Sequence, residues 1–490
     1  MQLPLCYPNG AVAPVGNAAW SGPYTFTFPG KSPSVGPYAF QYKDVGSISL
    51  SLQEKSGNTY YYGRAAIVSQ PAALKLDVTR PSDGLVNPGS ATTGFVAAGE
   101  PFKVTVTGVN VDNTAAPNFG KETVPEDVKL EFVASGVAGE LAGAFGAASG
   151  GAYTGTFTYS EGGTIVLGAS MNAENADYLG SSRRVGNSPM TVGMFFPAYF
   201  TTAPTAAFDC QPLMACPTGA TSNGDDLGVS GGVYSAQPFD VTVTAFSANG
   251  KEMMNYTPTA TYPMTLTAYG LPGQGAPAPV EGVLTNRTGA SLALKPTFTL
   301  STPYSSGAPA GTSNWSLPRT IYLRAEAKVL VAGSPAASER LVTSLRAAGT
   351  PSVEGGVRVL TGRLFVANSA GSELLRLPVR LNAQYWTGSG WANNIGDNVS
   401  AIAASASYAP VFSNCRQRIC NTAVVAQPWN TLLLDDGAAR IWLQPPGAGF
   451  TGSIDLRIHD SGRPAWLPST VGRAVFGSYR SPLIYIREVY

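Results

Sequence analysis

One histidine, His459, stands in a chain of 490 residues, and that scarcity removes a class of chemistry at once. A Ser-His-Asp triad or a His-rich metal site has nowhere to form except around "RIHDSG", and no nucleophile-elbow sequence occurs. His459 reads as a residue at the end of a strand. Charge is scarce as well. Only 12% of residues are Asp, Glu, Lys or Arg, with 31 basic against 30 acidic, so no net field favours nucleic acid, an anionic membrane or an acidic substrate. No run approaches about 18 consecutive apolar residues, which leaves no transmembrane helix. Neither a phosphate-binding GxxxxGK[ST] nor a GxGxxG before a helix is present. The opening "MQLPLCYPNG" lacks the basic start and apolar run of a secretory signal, and "LPLC" lacks the run that precedes a lipid-attachment cysteine; the chain reads as cut from something longer.

Cysteine is sparse but patterned. Four of the five fall into two close pairs, "CQPLMAC" (Cys210, Cys216) and "CRQRIC" (Cys415, Cys420), each in a turn-rich stretch with no histidine nearby. Two local disulfides are therefore expected rather than a metal site, which implies an oxidising compartment. Cys6 is left over, its partner expected upstream of Met1.

Gly (56) and Pro (38), with many Thr, Val and Tyr and few Lys and Glu, suit short strands joined by turns. At about 150 residues per domain the length allows about three domains. "PFKVTVT" (101–107) alternates large and polar residues without a break and returns as "PFDVTVT" (238–244), 137 positions later. Asn118-Phe119 in "PNFGKE" and Asn255-Tyr256 in "MNYTP" keep the same offset, so strand and following loop recur together. A second unit, "FQYKDVGSISL" (40–50) against "FTYSEGGTIVL" (157–167), reads as strand, tight turn, strand, with Gly46 and Gly163 free to take positive φ. It closes a domain as a hairpin, and the "PF-x-VTVT" unit opens one.

The expected organisation is all-β: a remnant of a truncated β-domain ending in a hairpin (1–71), an immunoglobulin-like sandwich (72–190), a second such sandwich (191–346) and a Trp-rich C-terminal β-domain (347–490). From Pro71 to Phe102 is 31 positions and from Pro197 to Phe239 is 42, so the second copy carries an insertion where Cys210 and Cys216 lie. Their disulfide would staple a loop that no core holds. "SERLVTSLRAA" is open between a short helix and a strand, the repeat favouring the strand, and "SPLIYIREVY" reads as a docked terminal strand.

Sites are harder to name. The carboxylate groupings Glu122 with Glu126 and Asp127, Asp225 with Asp226, and Asp435 with Asp436 each lie beside Gly or Pro in turns, where acids serve solubility and local hydrogen bonds. No catalytic, cofactor or metal residue is assigned. Calcium is the one cation left open, by the oxygen-rich "SNGDDLG" and "MNAENAD", neither of which matches a defined calcium loop. Trp386, Trp391, Trp429, Trp442 and Trp466 fall in the last domain against Trp20 and Trp315 elsewhere. In "YWTGSGW", Trp386 and Trp391 flank a hairpin tip and are the candidate ligand-binding residues, by stacking on sugar; the alternative is a core role with each N–H bonded to a carbonyl.

"PNFGKE", "YTGTFTYSEGGTI", "VGMFFPAYF", "ELLRLPVRLNAQYWTGSGW", "ARIWLQPPGAGFTGSIDL" and "GRAVFGSYRSPLIYIREVY" resemble the C-terminal region of the MshQ proteins of the MSHA (mannose-sensitive haemagglutinin) type IV pilus system of Gram-negative bacteria. "MFFPAYF" lacks the charged residues that its counterpart in those proteins would carry. The resemblance implies an exported envelope or pilus-associated protein with other envelope proteins as partners, and brings no catalytic residue with it. The expectation is a non-catalytic stalk or adhesin, against a glycan-binding adhesin with its site on the C-terminal domain and, third, a β-sandwich hydrolase.

Overall fold

The computed structural model describes residues 2–6, 20–23, 42–134, 139–171, 177–217, 228–229, 231–273, 280–305, 314–347, 350–403 and 410–477. Among them the ordered elements are strands and short 3-10 turns such as Pro212–Met214, Gln417–Asn421 and Asp460–Gly462. The protein is all-β, with tandem immunoglobulin-like sandwiches. Two compact units divide it: one comprises Met1–Ala198, Ala245–Tyr256 and Lys328–Leu341, the other Tyr199–Thr244, Thr257–Ala327 and Val342–Tyr490.

In the first unit a sheet runs in the order Trp20–Pro23, Gln2–Cys6, Gly46–Ser56, Thr59–Ser69. The last two strands pair antiparallel from Gly46↔Ser69 to Ser56↔Thr59, so the hairpin here turns after Ser56 and begins at Gly46. A sandwich follows. One sheet orders Gly186–Ser188, Ala73–Thr79, Phe102–Val109, Ala152–Tyr159 and Leu141–Phe145; the facing sheet orders Val96–Ala97, Met190–Phe196, Gly163–Met171 and Val128–Ala134. The alternation of "PFKVTVT" becomes burial: Phe102, Val104 and Val106 are fully enclosed while Lys103 is exposed. Phe195 of the facing sheet meets Phe102 at 5.5 Å and Tyr159 at 5.0 Å between ring centroids, which joins the two layers.

"FTYSEGGTIVL" is strand, turn, strand, with Gly46 and Gly163 both at positive φ (130° and 94°). It is not a hairpin. Ala152–Tyr159 pairs with Phe102–Val109, whereas Gly163–Met171 pairs with Met190–Phe196 in the other sheet, so the turn arches across the sandwich. Ala152–Tyr159 buries alternate residues, as does Gly163–Met171 as far as Leu167, and such a pattern fits an arch as well as a hairpin.

In the second unit Tyr199–Pro204, Val241–Phe246 and Ala293–Leu294 form one sheet. Arg319–Val331 centres another, pairing with Met264–Tyr269 and with Gly356–Leu360. Gly356–Leu360 follows the expected domain start at 347, yet it also runs parallel to Gly231–Tyr234. The final sandwich sets Gly362–Val366, Leu377–Trp386, Trp391–Asn393 and Ala438–Leu443 against Ser369–Gly371, Gly472–Phe476, Gly452–Arg457 and Val411–Arg416. One apolar core runs through both groups of strands. Phe208, Met214, Tyr234 and Leu360 pack in the same cluster as Leu364, Leu381, Tyr385, Ile441 and Leu456.

Both disulfides form, Cys210 to Cys216 and Cys415 to Cys420, with Cα separations of 6.2 and 5.3 Å. The first loop is also held by a core, contrary to expectation: Met214 between the cysteines is 0% exposed, and its carbonyl accepts the Arg358 Nε–H at 3.0 Å. "SERLVTSLRAA" contains the strand Ser338–Thr343. "DDG" turns a tight hairpin with both central residues, Asp436 and Gly437, at positive φ (47° and 68°), as a two-residue loop of this hand demands. The side chain of Cys6 and the terminal "LIYIREVY" lie outside the described residues.

Candidate functional site

Trp386 and Trp391 sit directly opposite each other across the hairpin they flank, with ring centroids 5.5 Å apart. Thr387 closes the tip: its Oγ1 accepts the Gly390 N–H at 3.1 Å and donates to the Gly390 carbonyl at 2.9 Å. The two indoles part company in exposure. Trp386 is 7% exposed and its buried Nε1–H meets no acceptor, while Trp391 is half-buried. The Arg363 guanidinium covers the Trp391 ring at 4.0 Å, and Tyr304, itself against Trp315 at 5.2 Å, meets Trp391 edge-on at 5.4 Å. Burial lowers the Arg363 pKa to about 10, and Arg363 Nε donates to Gln384 Oε1 at 2.9 Å. Trp391 thus gives a face and an edge to its own fold, a cation-π and ring-edge cluster that leaves little of the indole for a sugar.

The other C-terminal tryptophans divide similarly. Trp429 Nε1 donates to the Ala403 carbonyl at 3.2 Å and Trp466 Nε1 to Ser400 Oγ at 3.4 Å, both against the shared core. Trp442 is 37% exposed, on the outward face of Ala438–Leu443, with the Arg376 and Arg440 guanidinia 5.5 and 6.0 Å from its ring. Leu374 and Leu375 nearby in sequence to Arg376 are exposed too. Trp442 is not one of the two candidate tryptophans. The signal was in "ARIWL", where strict alternation sets Ile441 and Leu443 inward and so turns Trp442 out.

Two of the acidic groupings lie among the described residues and take part in local hydrogen bonds. Glu122 is buried; its Oε1 accepts the Tyr178 hydroxyl and the Gly120 N–H, and its Oε2 has no partner. Glu126 accepts the Leu179 N–H at 3.1 Å, and burial, then Glu122, Asp177 and Asp127, raise its pKa. Burial followed by Glu122 pushes Tyr153 up to about 12. Asp435 frames the "DDG" turn through its backbone. Asp225 and Asp226 lie outside the described residues, as does most of "MNAENAD". Among the described residues no three His, Cys, Asp or Glu side chains gather as a metal site would require. His459 Nδ1 accepts the Ser461 N–H at 3.1 Å and caps a 3-10 turn.

The carboxylates that are both buried and fully engaged were not foreseen. Glu354, fully enclosed, takes Arg324 Nε at 2.5 Å and Nη2 at 3.3 Å, Ser344 Oγ at 3.3 Å and the Gly273 N–H at 2.7 Å. Tyr269 lies under the same guanidinium at 4.3 Å. Asp397, also enclosed, accepts the Tyr234 hydroxyl at 3.0 Å and the Val399 and Ser400 N–H groups at 3.2 and 2.9 Å. Asp455 holds Arg473 and Asn414. Every one of these groups is spent within the fold. Among the described residues no helix is long and apolar enough to cross a membrane.

Comparison with known proteins gives the family and little more. No curated protein matches the chain. Among solved structures, an I-band fragment I67–I69 of titin matches with 8% identity, covering 79% of this chain and 96% of that one at a TM-score of 0.18. The full ectodomain of mouse nectin-like molecule 4 matches with 8% identity and the same coverages and score. Domains 4–9 of the surface layer protein SbsC match with 10% identity over 88% of this chain and 54% of that one at 0.16. At such scores the likeness carries no argument about arrangement or activity, and the sandwich assignment rests on the strand pairing above. Family models for the second, third and fourth domains of DUF6701 match residues 70–164, 161–297 and 360–489 in order, and the chain belongs to the DUF6701 family.

Proposed function

We propose that the protein is a non-catalytic structural component of a bacterial surface assembly, a multi-domain stalk or adhesin exported to the envelope and associated with a type IV pilus of the MSHA kind. The observation that carries this reading is the engagement of the buried carboxylates. Glu354, Asp397 and Asp455 are each bound by Arg, hydroxyl or N–H groups of the fold itself, whereas a glycosidase needs two carboxyl groups left to act on the substrate. Two disulfides agree with an oxidising compartment. The resemblance of the "REVY" and "YWTGSGW" stretches to MshQ proteins supplies the pilus and the Gram-negative surface, with other envelope proteins as partners. Deleting the gene from a piliated host tests it: fewer surface pili or weaker attachment is expected, and unchanged pilus number together with unchanged attachment would refute it.

A second reading, a glycan-binding adhesin, gains from Trp442, whose exposed indole between Arg376 and Arg440 is better placed for stacking than Trp391 under Arg363. A glycan array with the full chain, Trp442→Ala and Trp391→Ala separates the two positions; binding lost only in Trp442→Ala would favour this reading, and no binding by the parent chain would remove it.

A further inference from the structure

The two recurring sequence units meet each other. In "FQYKDVG" and "FTYSEGG" the turn places Asp44 and Glu161 at equivalent positions, and in "PNF" and "MNY" the loop places Asn118 and Asn255 at equivalent positions. Asp44 Oδ1 accepts the Asn118 N–H at 3.1 Å. Glu161 accepts the Asn255 N–H at 3.3 Å, the Met254 N–H at 3.1 and 3.2 Å through its two oxygens, and Asn255 Nδ2 at 3.2 Å. The receiving loops share one backbone conformation. Asn110 N–H to Thr114 O, Asn113 N–H to Asn110 O and Ala116 N–H to Gly108 O measure 2.9, 3.0 and 2.9 Å; Ser247 to Lys251, Gly250 to Ser247 and Met253 to Ala245 measure the same. The turn also packs on its loop, since a Cβ placed on Gly162 would come 3.1 Å from Met253 Cε.

We propose that the carboxylate turn F-x-Y-x-(Asp/Glu)-x-Gly is a receptor for the Asn-aromatic loop of the repeat that follows it, so that the two recurring units are the halves of one repeated joint. A carboxylate presented to several N–H groups gives charge-assisted hydrogen bonds with a fixed direction, which specifies one loop in one register. This goes beyond the stalk reading and does not depend on the pilus.

The two joints differ by a methylene in the acid and by a donor in the loop, since Pro117 stands where Met254 does and has no N–H to give. Glu161 reaches the amide side chain of Asn255; Asp44 accepts from Val45 and from Asn118 N–H, and Asn118 Nδ2, in a residue 5% exposed, is left buried without a partner. The joint at Asp44 has fewer bonds for both reasons, and a longer acid should add the one still open to it, from Asn118 Nδ2.

Native-state amide exchange on the full chain tests the joint, with Glu161→Ala and Asp44→Glu. In Glu161→Ala the Met254 and Asn255 amides should lose protection by about tenfold or more, while those of Val104, Val106 and Ile165 keep theirs. In Asp44→Glu the Asn118 amide should gain protection. Unchanged exchange at Met254 and Asn255, or equal loss throughout the sandwich, would overturn the proposal. If Glu161→Ala fails to fold, Asp44→Glu decides alone, and no gain at Asn118 would overturn it.

Discussion

Two regions of the molecule close a sandwich turn in opposite ways. "FTYSEGG" offers the carboxylate of Glu161 to the N–H groups of Met254 and Asn255. The matching stretch in the next repeat, "FTLSTPY", has Thr302 where the acid stood and Tyr304 two places on. Tyr304 leads into rings: Trp315, Trp391 and, beyond it, Trp386, with Arg363 over the middle of the group. Beneath the rings the strands share an apolar core that includes Met214, Tyr234 and Leu360 together with Leu381, Tyr385 and Ile441. A carboxylate joint is directional and local, and removing it should loosen a loop. A shared core is cooperative, because burial has no preferred direction and one cluster draws its side chains from both sets of strands. The strands from 356 onward therefore should not survive excision at 347 as an independent fold.

The largest effect should come from Arg324→Ala. It leaves Glu354 enclosed with its principal cation gone, and breaking a buried pair by removing one partner costs about 3–5 kcal/mol. Denaturant unfolding should show the loss in the transition that reports the second unit, and a shift under about 1 kcal/mol would mean that Glu354 is not held as described. Tyr234→Phe comes next. Its hydroxyl donates to Asp397 at 3.0 Å and accepts from Asn394 Nδ2 at 2.7 Å, so both groups lose a partner at a cost of about 1–3 kcal/mol. The comparison makes a sharper demand here: amides of Val233 and Val359 should lose protection together with those of Leu381 and Ile441, and loss confined to one set would separate the cores. Replacing Cys210 and Cys216 by Ser should cost about 2 kcal/mol, the entropy of freeing so short a loop. Because Met214 stays anchored in the core, calorimetry should find the protein still folded.

How much of this was legible depends on the range of the interaction. The alternation of "PFKVTVT" gave the strand and its buried face, since a period of two admits one reading once Phe and Val must be inside. The cysteine spacings gave both disulfides for the same local reason. The pairing of Gly163–Met171 was not legible. An arch and a hairpin share a pattern, and only the facing strand Met190–Phe196 decides between them. Met214 reads as part of a loose insertion because most of the core cluster it joins, from Leu360 to Phe476, lies more than a hundred positions away in sequence. The hairpin between Trp386 and Trp391 is legible in "YWTGSGW", but Arg363, which covers Trp391, carries no sign of that partnership in "TGRLF". The carboxylate joint was half visible: its two sequence units were each seen to recur, and nothing local says that they touch.

The smallest effect concerns two acids, Glu126 in the first unit and Asp455 in the second, and is one of sign. Burial, then the nearby Glu122, Asp177 and Asp127, raises the Glu126 pKa above its unfolded value. A carboxyl raised in this way binds its proton more readily folded than unfolded, so it opposes stability at neutral pH and the opposition fades as pH falls through the folded value. Asp455 has the reverse sign. Its hydrogen bond from Arg473 lowers its pKa, so its contribution is complete above the ordinary aspartate range and is lost as pH falls through the lowered value. Glu126→Gln keeps an oxygen for the Leu179 N–H and removes the charge, so it should raise stability slightly at pH 7 and flatten the dependence between neutrality and the ordinary glutamate range. Arg473→Ala should instead lower stability at pH 7 and leave it unchanged where Asp455 is protonated. Thermal unfolding of Glu126→Gln over that range, and of Arg473→Ala from neutrality to below the ordinary aspartate range, reads both slopes, and a Glu126→Gln protein that is less stable at pH 7 would show that the carboxylate is bound there more firmly than one N–H from Leu179 provides.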